Sequence, residues 1–314
     1  MTRETNSRNT FVNYPPYRPP GEGESCLAWA RPAQSDVPVR RETLALEDGC
    51  ETLVLHHAPV RALLPPVLYL HGIQSHPGWF VGSAHALARQ GRDVFQVTRR
   101  GSGLATIGRG DARSTGRLLR DVGFCVDHIL RRTGARQVAL VGVSWGGKLL
   151  TAWLLRQPRT ASQISSLTLV APGICPRVRP ALGTRLAVMA CRWLWPGRLF
   201  DIPLSDVSLF TDNPVMRRYL EDDRHRLMRG TARLLWISGV LDWLVAHGRR
   251  GALTVPTTLL LASRDRIIDN AACQAAVERL AAGRARVLQL DGAHTLEFEH
   301  DQGPLLDALL RAVT

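Results

Sequence analysis

The chain has few acidic residues for its size: 27 Asp and Glu stand against 40 Lys and Arg in 314 residues, a formal net charge of +13. Nearly all of the excess is arginine, spread along the chain. Such a field favours phospholipid head groups, acidic substrates or nucleic acid, although an arginine-rich proteome would produce it equally well. Because no basic-aromatic module or zinc-finger spacing accompanies it, we expect no specific nucleic-acid partner and leave peripheral contact with anionic surfaces open.

Paired cysteines and long apolar runs are also missing. The six cysteines stand far apart without a C-x-x-C pair, which predicts neither a disulfide framework nor a metal site. No apolar run is long enough to cross a bilayer. Residues 1–23 are polar and proline-rich and lack the apolar core of a secretory signal. We therefore expect a soluble protein in the reducing cytoplasm.

Strands and helices are predicted to alternate along the rest of the chain. Apolar runs predict strands at 66–70, 93–97, 138–141, 166–170, 255–262 and 286–290, after a hairpin that turns at Asp48-Gly49, and those at 66–70 and 138–141 are expected to be buried. Amphipathic segments between them predict helices, the first over about 79–90. This alternation predicts an α/β fold with a mostly parallel sheet covered on both faces. Reactive groups in such folds gather at the carboxyl ends of the strands.

A G-x-S-x-G motif stands at one of these strand ends. Gly142-Val143-Ser144-Trp145-Gly146 follows the run 138–141 and opens a helical segment. A sharp strand-to-helix corner strains the serine backbone, and small residues at Gly142 and Gly146 let the chain pass close to its neighbours. The serine hydroxyl then lies at the positive end of a helix. We expect Ser144 to be a nucleophile; the alternative is a solvent-exposed serine in a glycine-rich turn.

Two further strand ends carry the partners that a serine nucleophile needs. A serine hydroxyl requires a base, and the base requires a carboxylate that fixes its tautomer. Asp265 and His294 each follow a predicted strand, and the chain order Ser, Asp, His is that of this fold. Asp269 is a nearby competitor, but Asp265 lies closer to its strand end. We predict a triad of Ser144, Asp265 and His294.

Two backbone N–H groups are expected to hold an oxyanion. One belongs to Trp145, next to the predicted nucleophile. The other comes from the loop after the strand 66–70, most simply Ile73, with Gln74 as the alternative. We expect His71 to hold this loop by a hydrogen bond and not to act as a base.

The motifs together resemble α/β-hydrolases of the monoacylglycerol lipase and lysophospholipase type, a serine aminopeptidase S33-like group. The matching segments are 70–76, 99–103, 142–147, 263–269 and 291–294, so the resemblance runs from Thr43 to the C-terminus. It implies an α/β-hydrolase fold and ester hydrolysis without metal or organic cofactor. The chain departs from the group at Thr98, where many relatives carry an aspartate. That change affects the local loop hydrogen bonding and not the predicted triad.

The resemblance also implies a helical cap between two parts of the core. We predict a flexible arm at 1–24, a core of 25–175 and 252–314, and a cap at 176–251 that roofs the site. The cap segment mixes apolar residues and tryptophans with arginines, which suits an acyl chain with a polar or anionic head. The alternative is that its tryptophans only pack the cap onto the core.

Three functions fit these predictions. The first is a serine hydrolase that cleaves carboxylic esters, either lipid-like or acylated small molecules. The second uses the same triad to transfer the acyl group to another acceptor or to cleave amides and peptides. The third is a non-catalytic binding protein, which the full set of catalytic residue types disfavours. The sequence does not determine the physiological substrate or the oligomeric state.

Overall fold

The fold is built on a central β-sheet. A computed structural model of the chain describes residues 37–105 and 107–313, so the predicted arm at 1–24 lies outside the described residues. The strands are β1 (Val39–Ala45), β2 (Glu51–His57), β3 (Val67–Leu70), β4 (Val94–Val97), β5 (Val138–Val143), β6 (Ile164–Val170), β7 (Leu199–Asp201), β8 (Arg229–Thr231), β9 (Thr257–Ala262) and β10 (Arg286–Leu290).

Eight of these strands form one mostly parallel sheet, in the order β1-β2-β4-β3-β5-β6-β9-β10. The strands β4, β3, β5, β6, β9 and β10 run parallel, while β2 is antiparallel to both β1 and β4. The β1–β2 hairpin turns at Asp48-Gly49, where Gly49 has a φ of 76°. The predicted α/β architecture and its leading hairpin are confirmed.

Helices cover the sheet and lie in the segments that connect its strands. They are α1 (Val81–Arg89), α2 (Thr115–Thr133), α3 (Trp145–Arg156), α4 (Leu182–Leu194), α5 (Pro214–Asp222), α6 (Ala232–Ala246), α7 (Asn270–Leu280) and α8 (Gly303–Ala312). The prediction of one helix over 79–90 was wrong at its start, since Pro77–Phe80 forms a separate 3-10 turn. Pro77 can begin such a turn because its missing N–H is not needed there, and the His76 side chain caps it.

The core lies on both faces of the sheet. Every residue of β3, β4, β5 and β9 is buried, as expected for central parallel strands that helices cover on each side. Trp79 and Trp153 are the largest fully buried side chains. Apolar runs therefore mark the central strands β3, β5 and β9, whereas β10, the strand before His294, is half-exposed.

The long connection from β6 to β9, residues 171–256, is called the insertion below and carries most of the remaining elements. It holds α4, the two-stranded β7–β8 ladder, α5 and α6, and the segment expected to form the cap falls within it. Helix α6 packs against both α4 and α3. Trp193 and Trp195 are 76% and 64% exposed, so they do not pack the insertion onto the core. Across residues 37–105 and 107–313, no helix combines the length and apolar character needed to cross a membrane.

Candidate active site

Ser144 occupies a strained corner between β5 and α3. Its φ of 51° and ψ of −120° lie where non-glycine residues are rarely found. Three hydrogen bonds hold it there: its N–H donates to the Val170 carbonyl at 2.9 Å, and its carbonyl accepts from Gly173 at 2.8 Å and Lys148 at 3.3 Å. Strain of this kind persists only when the surroundings over-determine it, so the fold fixes the position of this hydroxyl.

Glycines let the neighbouring backbone pass close to the corner. A Cβ at Gly142 would lie 2.6 Å from the Gly147 Cα, and one at Gly146 would lie 2.7 Å from the His71 carbonyl oxygen. Real side chains do not make such contacts with backbone atoms. Gly142 and Gly146 thus stand where α3 approaches β5 and the end of β3, as the motif requires.

His294 and Asp265 lie in line with the serine. The Ser144 Oγ is 3.0 Å from His294 Nε2, and His294 Nδ1 is 2.7 Å from Asp265 Oδ2. Since the carboxylate only accepts, Nδ1 carries the proton and Nε2 is free to accept from the hydroxyl. The His294 and Asp265 side chains are 3% and 0% exposed. The three residues predicted from strand ends are therefore brought together in one hydrogen-bonded row.

Backbone donors fix the orientation of Asp265. Its second oxygen, Oδ1, accepts from the N–H groups of Ile267 at 2.8 Å and Ile268 at 3.0 Å. Asp269, the competing carboxylate, caps α7 by accepting from the Ala272 N–H at 2.9 Å. Asp265 is thus the carboxylate that faces His294.

The loop that carries His294 is fixed from two sides. The Thr295 N–H donates to the Phe210 carbonyl at 2.8 Å, and the Phe210 ring stands edge-on to the imidazole with centroids 6.2 Å apart. On the other side, the Ala293 N–H donates to a Glu299 carboxylate oxygen at 2.8 Å. Phe210 belongs to the insertion, so the insertion contacts the histidine directly.

The loop after β3 passes beside Ser144. A Cβ at Gly72 would lie 3.2 Å from the Ser144 Cβ. The backbone that leads into Ile73 therefore passes directly beside the serine. Trp145 carries the first N–H of α3, one of the donors that a helix leaves without an intrahelical partner. The Gln74 side chain is buried, and its Oε1 accepts from Arg226 Nε at 3.0 Å.

His71 holds this loop through both ring nitrogens, the role predicted for it. Its Nδ1–H donates to the Gly72 carbonyl at 2.9 Å, and Nε2 accepts from the Arg99 N–H at 3.1 Å. Burial, followed by the nearby Arg99 charge, lowers the pKa of His71 well below its usual value. Because the imidazole is neutral and both of its nitrogens are hydrogen-bonded, His71 stabilises the loop and has no free nitrogen to act as a base.

Arg99 is a site residue that the sequence did not single out. Its guanidinium stacks on the Trp145 ring at 4.5 Å, and its Nη2 donates to the Ile73 carbonyl at 2.9 Å. The side chain therefore touches both residues predicted to supply oxyanion donors. Its Nε has no hydrogen-bond partner among the described residues. Burial lowers the pKa of Arg99 to about 9, so the group is cationic at neutral pH.

A polar network joins the insertion to the serine helix. Lys148 Nζ lies 2.7 Å from Asp242 and 3.0 Å from the Ser238 hydroxyl, and both partners lie on α6. The same hydroxyl is 3.0 Å from the Trp145 indole nitrogen. Helix α6 is thereby tied to the residue that follows Ser144.

A second tie joins the insertion to the loop after β3. His76 Nε2 lies 3.1 Å from Asp223 Oδ2, and the Trp79 indole N–H donates to the same oxygen at 2.8 Å. Both side chains of the His76–Asp223 pair are fully buried. Burial alone would raise the pKa of Asp223, but the hydrogen bond and charge of His76 bring it below its usual value.

No group of three or more His, Cys, Asp or Glu side chains within the described part of the chain is placed to hold a metal ion. The groups that converge on Ser144 are a base, a carboxylate, backbone N–H donors and a buried cation. Such a set can activate a hydroxyl and stabilise negative charge that develops on an attacked carbonyl.

Comparisons with known proteins identify the family and the fold. The family model described as serine aminopeptidase, S33, matches residues 64–301. No curated protein matches the chain in sequence.

Solved structures share the fold at low sequence identity. A soluble variant of monoglyceride lipase from Saccharomyces cerevisiae, in complex with a substrate analog, is 16% identical with a TM-score of 0.75 over 90% of this chain and 97% of that one. Monoacylglycerol lipase from Paleococcus ferrophilus is 16% identical with a TM-score of 0.64 over 88% and 99%. A thermostable carboxyl esterase from Bacillus coagulans, in complex with glycerol, is 11% identical with a TM-score of 0.71 over 88% and 99%.

Proposed function

The chain belongs to the serine aminopeptidase S33 family of α/β-hydrolases, and on that premise we propose that it is a serine hydrolase that cleaves carboxylic esters. The observation that carries the proposal is the row Ser144–His294–Asp265, with spacings of 3.0 Å and 2.7 Å. A histidine held by a buried carboxylate and in contact with a strained serine is the arrangement that makes a hydroxyl nucleophilic.

In the first half-reaction, Ser144 Oγ attacks the ester carbonyl while His294 Nε2 takes its proton. Asp265 stabilises the imidazolium and does not itself become protonated. The Ile73 and Trp145 N–H groups donate to the oxyanion of the tetrahedral intermediate. When that intermediate collapses, the C–O bond to the alcohol breaks, and the alcohol leaves with the proton from His294. Ser144 remains as an acyl ester.

In the second half-reaction, water replaces the alcohol. His294 takes a proton from the water as its oxygen attacks the acyl-serine carbonyl, and the same N–H groups hold the second oxyanion. Collapse breaks the bond to Ser144 Oγ, which regains its proton from His294. The carboxylic acid leaves, and the triad returns to its starting state.

We propose that residues 176–251 form a cap over the site and that the substrate is lipid-like. Support comes from the contact of Phe210 with His294 and from the ties of Lys148 and Asp223 between the insertion and the core. Aliphatic, aromatic and arginine side chains in this segment suit an acyl chain with a polar head. The family resemblance points in the same direction, since two similar folds are those of monoacylglycerol lipases.

A panel of p-nitrophenyl esters graded by acyl length tests this function. We expect turnover by the wild type and a loss of about 10⁴-fold or more in Ser144→Ala. Ser162→Ala, at an exposed serine in the 3-10 turn Pro158–Gln163 that follows α3, is the matched control and is expected to retain full activity. Turnover that survives in Ser144→Ala would contradict the mechanism. A preference for short acyl chains alone would contradict the lipid-like substrate.

Amide cleavage is the second candidate, because the matching family is described as a serine aminopeptidase. Acyl transfer to an amine or alcohol would use the same acyl-serine. Amino-acid p-nitroanilides, assayed beside the ester panel, separate these reactions. A higher kcat/KM on an anilide than on the matched ester would move the assignment from esterase to amidase.

A further inference from the structure

Helix α4 exposes an apolar stripe on its outer face. Leu182, Leu186, Met189 and Trp193 follow one another at intervals of four, three and four residues, so they share one side of the helix. They are 68%, 52%, 48% and 76% exposed. The opposite side packs on α6, where Val188 is buried. Apolar side chains in such a row on a soluble surface mark an interaction site.

The stripe continues past the end of the helix. Leu194 and Trp195 are 86% and 64% exposed. We call these six side chains, Leu182, Leu186, Met189, Trp193, Leu194 and Trp195, the α4 surface. Two tryptophans at its end are typical of the interface between water and lipid, where an amphipathic ring fits both phases.

The segment that carries the α4 surface is basic, and the first acidic residue after it, Asp201, pairs with Arg229 at 3.4 Å. Residues 171–200 contain five arginines and no Asp or Glu, and the acid-free stretch extends back to residue 128. Arg185 and Arg198 are exposed beside the stripe. Arg192 stacks on Trp193 at 4.5 Å and on Trp236 at 4.6 Å, which keeps a cation at the level of the indole ring. Apolar side chains flanked by cations match a bilayer whose head groups are anionic.

We propose that the α4 surface binds the face of an anionic phospholipid bilayer. Charge complementarity selects this partner: an apolar protein groove would not require flanking arginines, and a nucleic acid would not require six exposed apolar side chains. The side chains would enter the head-group region while the arginines contact lipid phosphates. This inference does not depend on the proposed reaction, since no residue of the α4 surface belongs to the triad or its donors.

The surface lies on the part of the chain that borders the site. Just before α4, the Arg177 N–H donates to the Ile267 carbonyl at 2.8 Å, in the loop whose N–H groups hold Asp265. Helix α6 lies between α4 and the serine helix α3. Docking through α4 would therefore bring the insertion, rather than the opposite side of the sheet, against the lipid.

Vesicle co-sedimentation of the full chain tests the proposal. The probes are vesicles of phosphatidylcholine alone and of phosphatidylcholine mixed with phosphatidylglycerol. We expect binding to the mixed vesicles only, and we expect it to weaken as salt is added. The charge-reversing double substitution Arg185→Glu with Arg198→Glu should weaken binding to the mixed vesicles by at least about tenfold, since each lost cation lowers the affinity by about fivefold. Leu186→Ser with Trp193→Ser should weaken it by at least about tenfold through lost apolar burial.

The matched control is Arg131→Glu with Arg136→Glu, which makes the same change in net charge at exposed positions around the end of α2. It should leave vesicle binding within about twofold. All variants should keep the wild-type melting temperature, which shows that they fold, and the wild-type turnover of a short, water-soluble ester. Equal binding to both vesicle types, or an equal loss in the control, would overturn the proposal. The proposal would also be overturned if the wild type bound no vesicles and instead formed a dimer that the double substitution Leu186→Ser with Trp193→Ser dissociates. Vesicle binding without ester turnover would overturn the proposed function alone.

Discussion

Replacing Asp265 by asparagine tests how the carboxylate sets the state of His294. Asp265 Oδ1 accepts from the N–H groups of Ile267 and Ile268 at 2.8 Å and 3.0 Å, so it must remain an oxygen in the variant. The amide nitrogen then occupies the place of Oδ2, 2.7 Å from His294 Nδ1, and donates to it. The histidine must carry its proton on Nε2, where it faces the Ser144 hydroxyl and can no longer accept.

The loss follows from that reversed tautomer. Where an asparagine inverts the histidine of a serine triad, kcat falls by about 10⁴-fold, which corresponds to about 5.4 kcal/mol of transition-state stabilisation. We expect a fall of this size in Asp265→Asn, measured as kcat on a p-nitrophenyl ester, with an unchanged melting temperature. The two backbone donors keep their acceptor in the variant, so folding is not at stake.

Asp269→Asn is the matched control. It removes a carboxylate from the same loop but keeps an oxygen that can cap α7, and asparagine caps helices as well as aspartate does. Its kcat should stay within about threefold of the wild type. A loss below about tenfold in Asp265→Asn, or equal losses in the two variants, would refute the assignment of Asp265 to His294.

Three further predictions concern the surroundings of the triad. Gly146→Ala should abolish folding or lower the melting temperature sharply, since its Cβ would overlap backbone carbonyls. Its control, Gly239→Ala, lies in open space within α6 and should stabilise the protein by up to about 1 kcal/mol. Thermal unfolding compares the two variants. Arg99→Met should lower kcat by about 10-fold to 100-fold with little change in KM, because the cation acts through the oxyanion donors, and a change in KM alone would contradict this. Because the folded pKa of Asp223 lies below its unfolded value, its contribution to stability is present above the unfolded pKa and is lost as pH falls through the folded pKa. Denaturant unfolding of Asp223→Asn should therefore depend less on pH below about 4 than that of the wild type, and parallel curves would contradict it.

Much of the fold follows from local sequence patterns. Continuous valine and leucine runs mark β3, β5 and β9, because strands covered on both faces need apolar residues at every position. Ser144 and Asp265 each follow such a run and His294 follows the shorter, half-exposed strand β10, so all three could be placed at one edge of the sheet. The choice of Asp265 over Asp269 also agrees with the geometry, in which the nearer carboxylate faces the histidine.

Other features depend on residues that are distant in sequence. The contact of Lys148 with Asp242 and that of His76 with Asp223 join segments whose approach no local pattern encodes. Arg99 stands in the matching segment 99–103, but its contact with the Trp145 ring depends on the fold and gave no signal in the sequence. The exposure of the apolar face of α4 could not be predicted from the sequence either, because an apolar stripe on a helix is normally buried.

Covalent labelling of Ser144 tests the central claim most directly. An alkyl fluorophosphonate reacts far faster with a serine that a base activates than with an ordinary hydroxyl, and mass spectrometry of the digested protein locates the adduct. The account predicts one adduct, on Ser144, in the folded wild type and none in folded His294→Ala at the same reagent concentration. Equal labelling of both proteins, or a wild-type adduct on another residue, would contradict it.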